Sequence, residues 1–276
     1  MAPAPGVPEA ALLHAPPGWT RLAFVSDLHL SAQTPRTMQA FLRWLRGPAL
    51  QADALFILGD LFEAWIGDDL LDDTARTVEP AQAAVAHTVA CALQAFAADG
   101  RALYVQHGNR DFLLGAGFAR VACARLLPDP AVVVFQGQRL LLTHGDLLCT
   151  ADTAYLQFRA QVRRADWQQR ALAQPLAERA RQAQALRAAS QAAQHGAGSW
   201  ADADPAEARR WLTQFASNWM IHGHTHRPRD HWSDGQLRQV LSDWDCDTPP
   251  TDQQRAQALW LHACCGGLTV HRTDCR

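Results

Sequence analysis

The feature that most constrains this chain is a series of five short blocks. Each follows an apolar run, and each carries side chains able to hold a metal ion. They read SDLHL (26–30), LGDLFE (58–63), HGNRD (107–111), THGD (143–146) and HGHTH (222–226). Together they supply Asp27, His29, Asp60, Asn109, His144, His224 and His226. Carboxylates, an amide oxygen and imidazoles suit divalent ions such as Mn, Fe and Zn. Two aspartates, one asparagine and four histidines are too many ligands for one ion. They suit two ions that share a carboxylate about 3.5–4 Å apart, the arrangement that stabilises both attacking and leaving oxygens in phosphoryl displacement.

The spacing within the blocks supports a common site. In an extended segment alternate residues share a face, so Asp27 and His29 can reach one ion, and His224 and His226 repeat that spacing. Gly59 and Gly108 stand directly before Asp60 and Asn109, where a tight turn brings backbone close to the ions. His107, His222 and His231 are left as ordinary hydrogen-bonded histidines.

The runs at 22–25, 54–58, 103–106, 131–135, 139–143 and 219–222 read as buried strands. Residues 38–45 and 74–98 read as helices, and 237–242, 259–263 and 268–272 as late strands that suggest antiparallel additions. Strands alternating with helices predict α/β layers, and ligands just past strand ends match where open sheets place their sites. Residues 1–19, rich in Pro and Ala, read as a disordered extension. The segment 151–218 is rich in Ala, Gln and Arg and carries nine arginines against six acidic residues. Tyr155, Phe158 and Val162, then Leu172 and Leu176, with Trp167, Leu186 and Trp200, give it helical apolar spacing. It reads as a helical insertion, leaving 20–150 and 219–276 as the core. None of the seven ligands lies within it, so it can be a lid, a membrane-facing element or an ordinary helical hairpin.

Composition removes several classes. The net charge of −2 gives no footprint for nucleic acid. All 25 basic residues are arginine, so lysine-dependent Schiff-base or P-loop chemistry is excluded and anions must be met by arginine forks or backbone amides. Seven cysteines without a CxxC read as reduced thiols of a cytosolic protein. No run of about 18 apolar residues exists to span a membrane.

The block order D-x-H, G-D, G-N-x-D, G-H and G-H-x-H resembles the calcineurin-type metallophosphoesterases over about residues 20–272. The resemblance implies a four-layer α/β sandwich with a di-metal centre. By motif, Asp27, His29, Asp60 and His226 would hold one metal, Asp60, Asn109, His144 and His224 the other, with Asp60 bridging. The longer strings GDLFEAWIGDD (59–69), HGNRDFLLG (107–115), LTHGDLLCT (142–150) and IHGHTHRP (221–228) resemble the UDP-2,3-diacylglucosamine pyrophosphatases within that family. This closer likeness implies an enzyme of lipid A synthesis with two Mn2+ ions, other divalent ions being possible. It also implies a helical lid over the acyl chains and a cytoplasmic location, peripheral on the inner membrane. Catalytic roles would fall on Asn109 and Arg110, and substrate contacts on Asn109, Arg110, Asp152, Arg187, Ser190 and His224. The stretch 189–191 (Ala-Ser-Gln) departs from the Asn-Ser pattern of the related lids, so Arg187 would have to replace lost contacts.

Two details bear on the substrate. Many phosphodiesterases of the wider family carry histidine after the block asparagine, where it can protonate an alkoxide; here the residue is Arg110. A phosphate monoester leaves as a stable anion and needs charge neutralisation, not a proton. Arg110 thus favours a pyrophosphate, unless it only pairs with Asp111. Apolar residues also follow three ligand blocks: Phe62, Trp65 and Ile66; Phe112, Leu113 and Leu114; Leu147 and Leu148. They read either as core or as a pocket for acyl chains. A soluble nucleotide or other phosphoester stays open as the alternative substrate.

Overall fold

Every strand expected from the apolar runs forms. The computed structural model describes residues 8–197, 202–249 and 251–276, the side chains of 189–197 excepted. In chain order the main elements are β1 (Ala11–His14), β2 (Arg21–Val25), α1 (Pro35–Leu45), β3 (Ala54–Leu58), α2 (Ala75–Val78), α3 (Pro80–Ala97), β4 (Ala102–Gln106), α4 (Ala116–Val121), β5 (Arg125–Leu126), β6 (Ala131–Phe135) and β7 (Gln138–Thr143). Then follow α5 (Thr153–Val162), α6 (Ala165–Leu172), α7 (Leu176–Ala197), α8 (Pro205–Gln214), β8 (Trp219–His222), β9 (Arg229–Ser233), β10 (Gln236–Val240), β11 (Gln257–Cys264) and β12 (Gly267–Asp274).

The strands make two six-stranded sheets, ordered β12-β11-β2-β3-β4-β5 and β1-β6-β7-β8-β10-β9. Strands β2, β3, β4 and β5 run parallel, as do β7, β8 and β10. Late strands β11 and β12 add to the first sheet in antiparallel fashion. The continuous apolar runs are explained by burial on both faces. Ala23, Val25, Leu55 and Ile57 pack beneath α1 and α3 with Phe41, Val89 and Leu93. Their neighbours Leu22, Phe24, Phe56 and Tyr104 face the other sheet and meet Leu140, Leu142 and Ile221. The outer face of that second sheet is covered by α8 through Trp211 and Leu212. The result is the four-layer helix–sheet–sheet–helix sandwich.

The structure corrects two expectations and refines a third. Residues 11–14 are a strand, not disordered chain: β1 pairs parallel with β6 and covers its edge, and Leu13 packs into the inter-sheet cluster. Residues 1–7 lie outside the described residues. The helix expected over 74–98 is divided, because Pro80 lacks an N–H and occupies the first turn of α3. The helical insertion expected over 151–218 carries four helices, α5 to α8, more than the hairpin alternative would supply; Trp200 and the Ser190 side chain fall outside the described residues. Strand β9, with the polar sequence RDHWS and a largely exposed face, gave no alternation to read.

Phe56 stacks between Phe24 and Tyr104, with ring centroids 5.1 and 4.9 Å away. We expect Phe56→Ala to lower unfolding free energy by about 3–5 kcal/mol in chemical denaturation of the metal-free protein. Leu12→Ala, at a 54% exposed position, should change it by less than about 0.5 kcal/mol. Equal losses for the two would contradict the layered core.

Candidate metal centre

Parallel strands deliver the ligands because their carboxyl ends point the same way. Asp27, Asp60 and Asn109 follow β2, β3 and β4 of one sheet; His144, His224 and His226 follow β7 and β8 of the other. The first two loops run side by side: Asp27 N–H donates to Gly59 O at 3.1 Å and His29 N–H to Asp60 O at 3.0 Å. Gly223 N–H donates to His144 O at 2.9 Å, joining the other pair.

The D-x-H and H-x-H pairs are not extended, as the alternation argument assumed. Asp27 (φ 54°), His29 (49°), Asp60 (53°), His224 (67°) and His226 (53°) all adopt the left-handed region. Only four other described non-glycine residues do so: Cys123, Gln136, Ala216 and Asp234. Each such residue costs on the order of 1–3 kcal/mol, so the strain is gathered where the candidate ligands are. Gly108 is needed for a related reason, since a Cβ there would collide with the Asp60 carboxylate.

All seven expected ligands converge. On one side His29 Nε2 and His226 Nε2 face each other at 3.3 Å, with Asp27 Oδ1 3.4 Å from His226 Nε2. On the other, Asn109 Oδ1 lies 2.9 Å from His144 Nε2 and 3.0 Å from His224 Nδ1. Asp60 sits between them: its Oδ2 is 3.7 Å from His29 Nε2 and 3.9 Å from His144 Nε2. Asp27 also comes within 4.8 Å of Asp60 and His144, so both carboxylates reach both halves.

The donor atoms fit divalent cations. In each carboxylate one oxygen is satisfied by the protein. Asp27 Oδ2 accepts from Ser26 Oγ at 2.5 Å and His224 N–H at 2.9 Å; Asp60 Oδ1 accepts from Arg110 N–H at 2.8 Å. Asp27 Oδ1 is buried with no hydrogen-bond partner, which is costly unless a cation meets it. The imidazoles are oriented from behind. His144 Nδ1 lies 2.9 Å from Leu58 O, His29 Nδ1 3.1 Å from Glu63 Oε2, and His226 Nδ1 3.4 Å from Asp243 Oδ2. The Leu58 carbonyl places the His144 proton on Nδ1 and leaves its Nε2 lone pair toward the centre; Glu63 and Asp243 draw the outer edges of the other two rings by charge, the His29 Nδ1 making no hydrogen bond of its own. Two Nε2 atoms facing each other at 3.3 Å need a cation, or an extra proton, between them.

The protonation tendencies follow from this crowding. Burial alone would depress His29, but the Glu63 and Asp60 carboxylates raise it to about 9. Burial is likewise outweighed at His144, raised to about 9 by Asp60 and Asp27. His224 is pushed down to about 3 by burial and by His144. Burial raises Asp60, whereas at Asp27 burial is overcome by His226, His144 and His29, which lower it.

Several functional residues were not read from the sequence. Asp111 does not pair with Arg110. It is fully buried and accepts from the N–H groups of Asp60 (3.3 Å), Leu61 (2.8 Å) and Gly108 (2.8 Å), so it fixes the Asp60 turn. Helix α5 contributes a second layer. Tyr155 stacks on His224 with centroids 6.0 Å apart and donates through its hydroxyl to Asp146. Arg159 Nε donates to the same Asp146 oxygen at 2.6 Å, and Arg163 Nη2 to Gly108 O at 2.8 Å. The signal was present, because Tyr155, Arg159 and Arg163 are four apart and share a helix face; the apolar stripe Tyr155, Phe158 and Val162 was read in its place. Glu63 and Asp243 left no such signal, since their partners are distant in sequence.

The expected substrate contacts divide. Arg110 is half-buried beside the centre, and no ion pair of its side chain is found among the described residues. Arg187 on α7 reaches Glu63 Oε1 at 3.0 Å. Asp152 caps α5, accepting from Tyr155 N–H at 3.0 Å. Of the apolar residues after the ligand blocks, Phe62, Trp65, Ile66, Leu114 and Leu148 are core. Phe112 instead meets the insertion, 6.1 Å from the Trp167 ring with Arg163 over its face. A cavity of about 210 Å³ opens beside Glu63 and Arg187, walled by Leu30, Phe62, Trp65 and Val85.

Comparison with known proteins gives the family. The chain is 47% identical over 223 residues to the UDP-2,3-diacylglucosamine hydrolase of Chromobacterium violaceum, covering 80% of this chain and 89% of that one. It is 48% identical over 233 residues to the UDP-2,3-diacylglucosamine hydrolase of Stenotrophomonas maltophilia, covering 80% and 90%. Among solved structures, a conserved uncharacterized protein of Streptococcus pneumoniae aligns over 93% of this chain and 90% of its own, at 14% identity and a TM-score of 0.43, too loosely to inform the site. The profile of the calcineurin-like phosphoesterases matches residues 20–228, and the chain belongs to that family.

Proposed function

We propose that the protein hydrolyses the pyrophosphate bond of UDP-2,3-diacylglucosamine, releasing UMP and 2,3-diacylglucosamine 1-phosphate (lipid X), with two Mn2+ ions as cofactor. The observation that carries this reading is Asp60 Oδ2 set between His29 Nε2 and His144 Nε2, at 3.7 and 3.9 Å. Two divalent ions sharing that carboxylate would lower the pKa of an attacking water and neutralise phosphoryl charge. Asp27, His29 and His226 are assigned to one ion, Asn109, His144 and His224 to the other. The names carried by the relatives supply the substrate.

Arg110 is assigned to the diphosphate. Its backbone N–H is spent on Asp60, and its guanidinium has no carboxylate fork of its own among the described residues. A guanidinium there meets developing charge on the departing phosphate without proton transfer. Helices α5 to α7 are assigned as a lid, with the cavity beside Glu63 as room for acyl chain. The insertion exposes Leu172 and Leu186 together with Arg164, Arg170 and Arg181, which pair with Asp166 or Glu178, and its apolar residues suit resting on an inner-membrane surface. No helix among the described residues is long and apolar enough to cross a membrane.

The direct test is product identification from UDP-2,3-diacylglucosamine, with and without Mn2+, beside simple aryl phosphoesters. UMP and the diacylated sugar phosphate should form only with metal; faster turnover of a soluble nucleotide than of the lipid would reverse the assignment. Arg110→Ala should lower kcat by about 10²-fold with metal still bound, and Arg110→Lys should restore only part, because a point charge lacks the fork. A rate within a few-fold of the parent would remove Arg110 from the chemistry. In sedimentation with anionic vesicles, Leu172→Ser/Leu186→Ser should bind less than the parent; equal binding would place the membrane face elsewhere.

A further inference from the structure

Two imidazoles of the centre are braced in the same manner, each by a carboxylate that is itself gripped by an arginine. Behind His226, Asp243 accepts from Arg255 Nε at 2.5 Å and Nη2 at 2.6 Å. Behind His29, Glu63 presents Oε2 to the ring at 3.1 Å and Oε1 to Arg187 Nε at 3.0 Å. The braces differ in where the arginine stands. Arg255 lies on the approach to β11, tied to the chain around it by paired Asp245–Arg255 backbone bonds. Arg187 stands on α7, in the helical insertion. The same helix is fixed one end of that stretch earlier by Arg179, which donates to Ile66 O and to Asp69 at the end of the Asp60 loop.

We propose that Glu63 is a positioning residue that couples the docking of α7 to the orientation of His29. This rests on the di-metal reading above. The Glu63 side chain is only 14% exposed, against 38% for Arg187. Its two oxygens face different cationic groups, the His29 ring and the Arg187 guanidinium. Such a carboxylate cannot lose one cation without turning toward the others. When α7 leaves, Glu63 loses Arg187, the Arg110 guanidinium becomes its remaining fork, and His29 loses its fixed Nδ1 partner. When α7 docks, both oxygens are committed and the His29 ring is held with Nε2 on the centre. The Asp243–Arg255 brace behind His226 does not involve α7. The link is reciprocal: a cation held by His29 favours docked α7, and docked α7 favours the cation.

The test uses the full chain stripped of metal and Mn2+ alone, so it does not depend on the lipid substrate. Free Mn2+ is followed by electron paramagnetic resonance, and amide hydrogen exchange is followed over 176–187. Glu63→Gln should weaken Mn2+ binding by about 10-fold or more, since one oxygen cannot serve both partners equally. Arg187→Gln should weaken it by less, and Arg187→Lys should recover part of that loss. The double variant Glu63→Gln/Arg187→Gln should bind no more weakly than Glu63→Gln, whereas Arg187→Gln and Arg255→Gln should add. Mn2+ should slow exchange over 176–187 in the parent and not in Glu63→Gln. Parental Mn2+ affinity in Glu63→Gln, or full additivity of the Glu63 and Arg187 losses, would overturn the proposal. If Glu63→Gln does not fold, the Gln and Lys variants at Arg187 decide alone: equal affinities for the two, matching the parent, also overturn it. Failure of product identification with the metal results intact would refute the substrate and leave the coupling standing.

Discussion

Two imidazole nitrogens aimed at each other across 3.3 Å are an unfavourable arrangement for a protein to fold around. Unless a cation or an extra proton stands between them, the facing lone pairs repel, and Asp60 and Asp27 place buried carboxylates beside them. Much else in the molecule serves to hold this cluster against its own repulsion. Left-handed backbone at five ligands, glycines that admit a carboxylate, and Asp111 gathering three backbone amides are all ways of fixing a strained group from outside. The layered core supplies the stability that such strain draws on.

The inter-sheet layer explains how the pieces meet. Phe24, Phe56 and Tyr104 form a stacked column across β2, β3 and β4, which sets the register of the three loops that follow. Leu140, Leu142 and Ile221 set the opposing sheet against it, so His144 and His224 arrive facing Asn109. The metal centre is thus a property of two sheets ending together, and neither sheet holds it alone.

Much of this was legible in the chain. The paired blocks name all seven candidate ligands, because a strand end fixes the direction of the residues that follow within a turn or two. The apolar runs name the strands, since burial on both faces leaves no polar position. What was not legible depends on distance. Glu63, Asp243 and Asp111 were given no supporting role by their spacing, and only the fold reveals that they stand behind imidazoles and amides. Residues 11–14 carried too little apolar signal to be separated from the Pro/Ala-rich stretch before them, and β9 is polar throughout. The insertion was separated too cleanly, because ligand motifs mark only atoms that touch the ions and not those that hold the ligands in place.

That last point follows from one helix. Tyr155 lies against His224, Arg159 shares Asp146 with it, and Arg163 reaches the carbonyl of Gly108, all from a single face of α5. A chimera that exchanged the insertion with that of a relative, in the hope of transplanting lipid selectivity, would therefore also replace part of the scaffolding of the reaction centre. The exchangeable unit is smaller: it leaves α5 through Arg163 in place, and on α7 it keeps Arg179 and Arg187, which reach Asp69 and Glu63. The boundary between what supports the candidate ligands and what does not runs through the insertion instead of around it.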